Sequence, residues 1–232
     1  LLYFTDLEGS LWKINLTDQG TLYEATKLFD ADSSFDNDRM SFQKVSASVL
    51  YDKSLMTFYG TANFAKISQQ RDNIQNRVFA VKDENFPNFT QATELSESDL
   101  MEVTSLEQCF DSSDKGWFDN LEPNEKVTAS AAVKNSSVIF TIYKPSADNI
   151  CSAGSSKLLE YDLQCGSFTR EVDLSVGLAT EAITYKDKIY IGTSAEGGEE
   201  VLSENFYKKG NLIIGTQSSR SENKVKIENW RE

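Results

Sequence analysis

Short runs of apolar residues separated by polar turns dominate the hydrophobic pattern of this chain, and they predict β-strands. The first two runs lie in Leu1–Leu16, on either side of the turn Leu7-Glu8-Gly9-Ser10. Gly9 can adopt the positive φ that a tight hairpin turn requires. The pattern therefore predicts a hairpin at the start of the chain. Trp12 is embedded in its second strand, so we interpret it as a core residue rather than a ligand platform.

A unit made of a hairpin and one further strand recurs along the chain. In its first copy, Val49-Leu50-Tyr51 and Leu55–Tyr59 flank a turn at Asp52-Lys53-Ser54, and the strand Arg77–Asp83 follows. The same order of runs is found in two later copies: Ala131–Val133, Val138–Tyr143 and Lys157–Leu163, then Ala182–Tyr185, Lys188–Gly192 and Asn211–Thr216. This self-similarity is stronger evidence for a repeated structure than any single run.

Short strands in a repeating unit of about 40–50 residues, without a long amphipathic helix, are typical of a β-propeller. We predict an all-β propeller with about four blades, the first only half present. Residues 1–232 are interpreted as one propeller domain or as the C-terminal part of one. Because the chain opens in mid-blade, we expect upstream blades in a larger ring. A β-sandwich is the alternative, but it explains the recurrence less simply.

One stretch, Glu84–Lys115, interrupts this rhythm because it is acidic and rich in Ser and Thr. We interpret it as an insertion between repeats, with a short helix within Ser96–Cys109. Loops on a rigid scaffold often carry function. This insertion and the loop Lys144–Ser156 are therefore the segments predicted to meet partners.

The charge balance narrows the classes of function. The formal net charge is −13 and the chain contains no His. Such a polyanion is repelled by nucleic-acid phosphates and by anionic lipid surfaces, so we predict no nucleic-acid partner. The lack of His removes the commonest general base and metal ligand. No run approaches the roughly 18 apolar residues of a membrane span.

The acidic residues provide the other candidates for chemistry. Four of them, at the spacing of part of a calcium-binding loop, are Asp30, Asp32, Asp36 and Asp38. Phe35 stands where that loop needs Gly, and Ser41 stands where it needs a bidentate Glu, so we interpret the segment as a solvated acidic loop. Asp6 and Asp162 are strand-end carboxylates that fit ordinary turn positions. We predict no catalytic residue and no metal site in this chain.

The cysteines are Cys109, Cys151 and Cys165, and their spacing does not fit a zinc site. Cys151 and Cys165 flank the strand Lys157–Leu163, which favours a disulfide between these two residues in an oxidising compartment. Cys109 is then unpaired or bonded to a segment outside this chain. Two alternatives stay open: a Cys109–Cys151 disulfide, or three reduced thiols.

The order of several motifs along the chain carries a resemblance to a known family. They begin with the hairpin Leu2–Leu16 and end with Asn229-Trp230-Arg231-Glu232. Between these, in chain order, are Gly116-Trp117-Phe118, Glu125-Lys126-Val127, Val138–Tyr143, Pro145-Ser146, Cys151–Gly154, Leu159–Asp162 and Cys165-Gly166. Together they run through essentially the whole chain. Their order resembles the C-terminal domain of the PilY/PilC-type proteins of type IV pilus tips, whose first hairpin and C-terminal ending are similar to the first and last of these motifs.

The resemblance implies a non-enzymatic propeller that supports type IV pilus assembly and adhesion through minor pilins, with a host or surface receptor as a further partner. It implies an extracellular or cell-surface location at the pilus tip, reached through the periplasm. The family's calcium loop lies upstream of the hairpin at Leu2–Leu16, so the resemblance implies no cofactor within this chain. The same hairpin also resembles repeats of quinoprotein dehydrogenases, which leaves a propeller enzyme as one alternative. A purely structural extracytoplasmic propeller is the other.

Overall fold

The computed structural model describes residues 1–34, 36–71, 73–105, 109, 111, 113–147, 152–195 and 197–216. Within these residues the chain forms four β-sheets in sequence order. Helical structure there is limited to two 3₁₀ turns, Phe64–Lys66 and Glu97–Asp99. No helix in this described part is long and apolar enough to cross a membrane.

The first sheet begins with the predicted hairpin. Its strands, antiparallel in the order given, are β1 (Leu2–Thr5), β2 (Leu11–Ile14) and β3 (Ala25–Phe29). Leu2 lies opposite Ile14 across the hairpin. Gly9 has a φ of 74° in the turn, and a Cβ atom there would meet the carbonyl oxygen of Arg39. Both the conformation and the close approach therefore require glycine at this position.

The second sheet contains the first copy of the repeated unit together with part of the predicted insertion. Its strands are β4 (Ser46–Val49), β5 (Leu55–Gly60), β6 (Arg77–Asp83), β7 (Met101–Glu102) and β8 (Gly116–Asn120). They are arranged in the order β4-β5-β6-β8-β7, and β7 alone runs parallel to its neighbour. The chain thus leaves the sheet after β6 and adds β7 at its edge. In place of the short helix predicted within Ser96–Cys109, the described residues hold a 3₁₀ turn capped by Ser96.

The third sheet is built around a long central hairpin. Its strands are β9 (Lys126–Val127), β10 (Ala132–Lys134), β11 (Ser137–Lys144), β12 (Ser155–Asp162) and β13 (Phe168–Val176). β10 to β13 pair in sequence order, and β9 pairs with the far end of β11, where Val127 lies opposite Ile142. β11 and β12 pair along their full lengths, from Ser137 opposite Asp162 to Lys144 opposite Ser155.

The fourth sheet differs from the third in the order of its outer strands. Its strands are β14 (Ile183–Tyr185), β15 (Lys188–Gly192), β16 (Glu199–Ser203), β17 (Phe206–Lys209) and β18 (Leu212–Thr216). They lie in the order β14-β15-β18-β17-β16, so β18 pairs with β15 and the hairpin β16–β17 forms the outer edge.

Both faces of the inner strands are buried because each sheet packs against its neighbours in the chain. Successive side chains of a strand point to opposite faces. On β5, Phe58 packs against the third sheet and Tyr59 against the first. On β11, Phe140 packs against the second sheet and Ile139 against the fourth. Three apolar cores therefore lie between consecutive sheets.

The first strands of the last three sheets lie close to one another, since β10 contacts both β4 and β14. Sheets that stack face to face around a shared line of innermost strands form the arrangement of propeller blades. The predicted all-β class is confirmed. The sheets have three or five strands each, which differs from the expected four-stranded blades.

Candidate functional site

A cleft of about 320 Å³ lies between the second and third sheets. The end of β8 and the loop after it form one wall with Asp119, Glu122 and Glu125. Strands β12 and β13 form the other wall, to which they contribute side chains of both charged and aromatic type: Lys157, Tyr161, Phe168 and Glu171. The strand ends fix these side chains relative to one another because both sheets pack on the core beneath them.

Lys157 lies between two carboxylates of this cleft. Its Nζ atom is 2.8 Å from Oε1 of Glu125 and 3.1 Å from Oε2 of Glu171. Burial by itself lowers the pKa of Lys157, but its bonds and charge interactions with Glu125 and Glu171 outweigh that effect and raise the pKa. The side chain of Glu125 is only 4% exposed, whereas that of Glu171 is 46% exposed. Glu171 is therefore the carboxylate of this pair that a partner can reach.

Tyr161 connects the polar wall of the cleft to the core. Its hydroxyl donates a hydrogen bond of 2.6 Å to Oδ2 of Asp119. Burial raises the pKa of Asp119, although the bond from Tyr161 acts in the opposite direction. Burial also raises the pKa of Tyr161 well above its usual value. The ring of Tyr161 lies 5.0 Å from that of Trp117 and 5.5 Å from that of Phe168, so aromatic contacts stabilise this wall.

A second depression of about 190 Å³ continues the cleft along the third sheet. The two share Glu122, Glu125, Lys157 and Glu171, and the second adds Lys144 and Asp173 among others. Lys144 donates a hydrogen bond of 2.8 Å to Glu122. Carboxylates outnumber lysines along this groove, so its electrostatic potential favours a partner that carries positive charge.

The groove brings together the two segments that the sequence predicts as partner contacts. Val103, Thr104 and Ser105 of the insertion Glu84–Lys115 line its first part. Lys144 and Ser155, at the two ends of the loop Lys144–Ser156, line its continuation. Pro145 of that loop accepts a hydrogen bond from the side chain of Gln70. Sequence reasoning missed Lys157 and Glu171, because neither stands in a recognisable motif.

The disulfide beside this cleft corrects the predicted pairing. Cys109 is bonded to Cys165, with their Cα atoms 4.2 Å apart and a sequence separation of 56. A sulfur atom forms one disulfide only, so the predicted Cys151–Cys165 pair and the alternative Cys109–Cys151 pair are both wrong. Cys151 itself lies outside the described residues.

Packing around Gly166 explains why a distant cysteine reaches Cys165. Gly166 follows Cys165 in the turn between β12 and β13, and the ring of Trp117 lies directly against its Cα atom. Trp117 stands at the start of β8, so the chain that leads into β8 from the insertion passes beside this turn. The disulfide thus ties the insertion to the wall of the cleft.

The other sequence candidates act within turns. The Asp6 carboxylate accepts hydrogen bonds from the backbone of Glu8 and Ser10 and from the indole of Trp12. Trp12 is partly buried rather than fully inside a core. Asp162 accepts hydrogen bonds from the backbone of Gln164 and Cys165. Both carboxylates stabilise the hairpins that they open.

The acidic loop does not gather its carboxylates around one point. Asp30 binds Lys27 at 2.7 Å, and buried Asp38 accepts a hydrogen bond from Asn63. Asp32 and Asp36 are exposed. Within the residues that the structure describes, no group of three or more His, Cys, Asp or Glu side chains is placed to hold a metal ion.

Comparisons with known proteins identify the fold. No family model matches the sequence, and no curated protein matches it. Among solved structures, the chain is similar to the C-terminal domain of PilY1 from Pseudomonas aeruginosa, with a TM-score of 0.57 and 13% sequence identity. The similarity covers 84% of this chain and 55% of that chain. It confirms the predicted β-propeller, and it agrees at the level of fold with the resemblance found in the sequence.

Proposed function

We propose that this chain is a non-enzymatic propeller of a type IV pilus tip-associated protein, and that it supports pilus assembly and adhesion by binding minor pilins. The observation that carries the proposal is the structural similarity to the PilY1 C-terminal domain. The sequence motifs support it because they resemble the same family along the whole chain. The similarity spans 55% of the PilY1 domain, so the role of a whole protein of that kind comes to this chain only as part of the proposal.

The Cys109–Cys165 disulfide supports a location outside the cytoplasm. Structural disulfides form and persist in oxidising compartments such as the periplasm and the cell surface. A protein that reaches a pilus tip passes through both environments. The bond also holds part of the insertion against the turn between β12 and β13, which suits a segment that binds a partner.

The groove between the second and third sheets is the proposed contact surface for a minor pilin. Its lysines are held in ion pairs, with Lys157 between Glu125 and Glu171 and Lys144 bonded to Glu122. The ion pairs raise the pKa of Lys157, so its amine stays protonated and is a poor general base or nucleophile at neutral pH, which favours recognition over catalysis. The excess of carboxylates suits a partner surface with Lys or Arg residues.

A complementation experiment in the bacterium that makes the protein tests the role in piliation. Deletion of residues 1–232 from the parent gene is expected to reduce surface pili, counted by electron microscopy, and adherence to host cells. Reintroduction of the intact parent gene is expected to restore both. Unchanged piliation and adherence in the deletion strain, with the truncated parent present at normal levels, would leave the propeller a purely structural part and refute the proposal.

A further inference from the structure

The cleft between the second and third sheets has one charged wall and one apolar wall. Its volume of about 320 Å³ lies at the small end of the range of roughly 300–1,000 Å³ typical of ligand pockets. Four carboxylates and one lysine line it. Its apolar and aromatic lining consists of Val103, Leu121, Leu159, Tyr161 and Phe168. A cleft of this size and composition suits a single side chain with an apolar stem and a charged end.

One carboxylate of the cleft, that of Asp119, has no cation bound to it. The other three are each in an ion pair with a lysine: Glu122, Glu125 and Glu171. Asp119 forms no ion pair within the described part of the chain, and the charge of Lys157 acts on it without a direct bond. Lys157 is already bound to two other carboxylates. The cleft therefore contains a negative charge that its own lysine does not neutralise.

Burial makes this charge costly to the folded protein. Burial is the main cause that raises the pKa of Asp119, and the nearby charge of Glu102 acts in the same direction. The hydroxyl of Tyr161 donates one hydrogen bond to the carboxylate, which has about four acceptor positions. A cation that entered the cleft would offset the cost of burial and would find acceptor positions still open.

Phe168 gives the cleft a surface that suits a flat cation. Its ring lines the cleft beside that of Tyr161, with the ring centres 5.5 Å apart. A guanidinium group stacks on aromatic rings and donates to carboxylates in a planar fork, whereas an ammonium group is a strongly hydrated point charge. The chain itself uses such a contact elsewhere, where the guanidinium group of Arg77 lies 4.9 Å from the ring of Phe118. The cleft therefore fits arginine better than lysine.

We propose that the cleft is an anchor pocket for one arginine side chain of the protein that binds the groove. The guanidinium group binds the Asp119 carboxylate and packs against Phe168, while the stem of the side chain lies along the apolar wall. This inference rests on the function proposed above, because it names the residue type by which a minor pilin is held. Glu171, which is more exposed, then attracts the basic surface around the inserted arginine.

An NMR titration of the full chain with N-acetylarginine methylamide tests the pocket without a pilin. We expect resonances of residues that line the cleft to shift with a millimolar dissociation constant. The neutral isostere N-acetylcitrulline methylamide should bind at least about ten-fold more weakly, because it lacks the charge that pairs with Asp119. Absence of binding by the arginine derivative up to about 100 mM, or equal binding of the two compounds, would overturn the proposal.

Two variants locate the binding at Asp119. Asp119→Asn keeps an acceptor for the hydroxyl of Tyr161 but removes the charge, so it should weaken binding of the arginine derivative at least about ten-fold. Asp173→Asn is the matched control, because this carboxylate lines the continuation of the groove but not the cleft, and it should bind like the wild type. Equal effects of the two variants would overturn the proposal. The comparison with citrulline needs no variant, so it decides the question even if Asp119→Asn does not fold.

A pull-down of purified minor pilins by the parent protein separates this inference from the proposed function. Asp119→Asn should lower retention at least about ten-fold, and Asp173→Asn should leave it unchanged. If the wild type binds the arginine derivative but retains no minor pilin, the pilus role fails and the pocket stands. If the wild type retains minor pilins but does not bind the arginine derivative, or if Asp119→Asn retains them equally, the pocket fails and the pilus role stands.

Discussion

At the scale of single residues, one buried ion pair joins the first and second sheets. Lys13 and Asp83 lie 2.7 Å apart, and each side chain is 1% exposed. Asp83 also accepts a hydrogen bond of 2.6 Å from the hydroxyl of Tyr3, and Lys13 donates to the carbonyl of Asn88. The two charges are therefore compensated by each other and by polar neighbours, which buried charges require.

Removal of one member of this pair is expected to lower the stability of the fold strongly. Asp83→Ala should lower the free energy of unfolding by about 3–5 kcal/mol, because it leaves the Lys13 charge buried without its partner. The control is Glu199→Ala, which breaks an ion pair of 3.2 Å with Lys209 where the Glu199 side chain is 76% exposed. That change should cost about 0–1 kcal/mol. Urea unfolding measures both, and equal costs would contradict a special role for the buried pair.

Two buried tyrosines make stability depend on alkaline pH. Burial raises the pKa of Tyr59, whose hydroxyl donates to the carbonyl of Gly9, and that of Tyr161 well above 10. In the unfolded chain both titrate near 10. Above that pH the unfolded state loses protons that the folded state keeps, so stability is full below about pH 10 and falls as the pH rises.

Single Tyr→Phe substitutions assign the slope of this pH dependence to individual tyrosine side chains. Urea unfolding between pH 8 and pH 11 should show a fall approaching about 1.4 kcal/mol per pH unit for each buried tyrosine. Tyr59→Phe should make the fall shallower. Tyr51→Phe, at a side chain that is 93% exposed, should leave it as in the wild type. A wild-type stability that is constant up to pH 11 would rule out this explanation.

At the scale of elements, the turn between β12 and β13 is fixed by contact as well as by conformation. Gly166 has a φ of 74°, and a Cβ atom there would collide with the ring of Trp117. Gly210 has a φ of 58° with no atom within 4 Å of such a Cβ. The two glycines share the left-handed conformation, and only the first has a side chain against it.

This comparison separates the free-energy cost of crowding Trp117 from the cost of placing alanine in the left-handed conformation. Gly210→Ala should lower the free energy of unfolding by about 1–2 kcal/mol, which is the conformational cost. Gly166→Ala should cost about 1–3 kcal/mol more, because Trp117 must move in a packed core. Thermal or urea unfolding of both variants provides the measurement. A cost for Gly166→Ala no greater than that for Gly210→Ala would show that the contact is unimportant.

The disulfide at the same turn predicts which cysteines are covalently linked and how much the bond stabilises the fold. Peptide mapping of the unreduced protein should recover Cys109 linked to Cys165, and Cys151→Ser should leave that link intact. Cys109→Ser should lower the free energy of unfolding by about 4 kcal/mol, because the bond closes a loop of 56 positions in the unfolded chain. Recovery of a Cys151–Cys165 link would contradict the pairing described above.

A comparison of the predicted strands with the observed ones shows which elements the hydrophobic pattern can predict. The four predicted hairpins and the strand Arg77–Asp83 are present, and β5, β6 and β11 are buried on both faces. The strands β3, β7, β8, β9, β13, β16 and β17 were not predicted. Among these, β13 and β16 are edge strands rich in charged residues, as in Glu199–Ser203, and such charges protect an exposed edge. Hydrophobic runs therefore predict the inner strands better than the outer ones.

The cleft was less predictable than the strands for a related reason. Its walls come from two different sheets, so Asp119 meets Tyr161 and Glu125 meets Lys157 across sequence distances that no local pattern records. The sequence did predict that the insertion and the loop Lys144–Ser156 carry the contact surface, which stays a prediction. The disulfide was assigned wrongly because the contact between the insertion and the turn after β12 brings Cys109 to Cys165, and no local pattern in the sequence records that contact.

At the scale of the whole molecule, stacked sheets leave grooves between their edges. The acidic groove between the second and third sheets is the one proposed to bind a minor pilin. Glu171 is an exposed carboxylate of this groove, so reversal of its charge tests that proposal. Glu199, on the fourth sheet, is a matched control. Its side chain is 76% exposed and is also paired with a lysine, at 3.2 Å from Lys209.

The most direct test is a pull-down of purified minor pilins by the purified parent protein under oxidising conditions. We expect the wild type and Glu199→Lys to retain minor pilins equally. Glu171→Lys should retain at least about ten-fold less, because it places positive charge against a basic partner surface. Retention of no minor pilin by the wild type would contradict the proposed function, and equal retention by all three proteins would contradict the proposed groove.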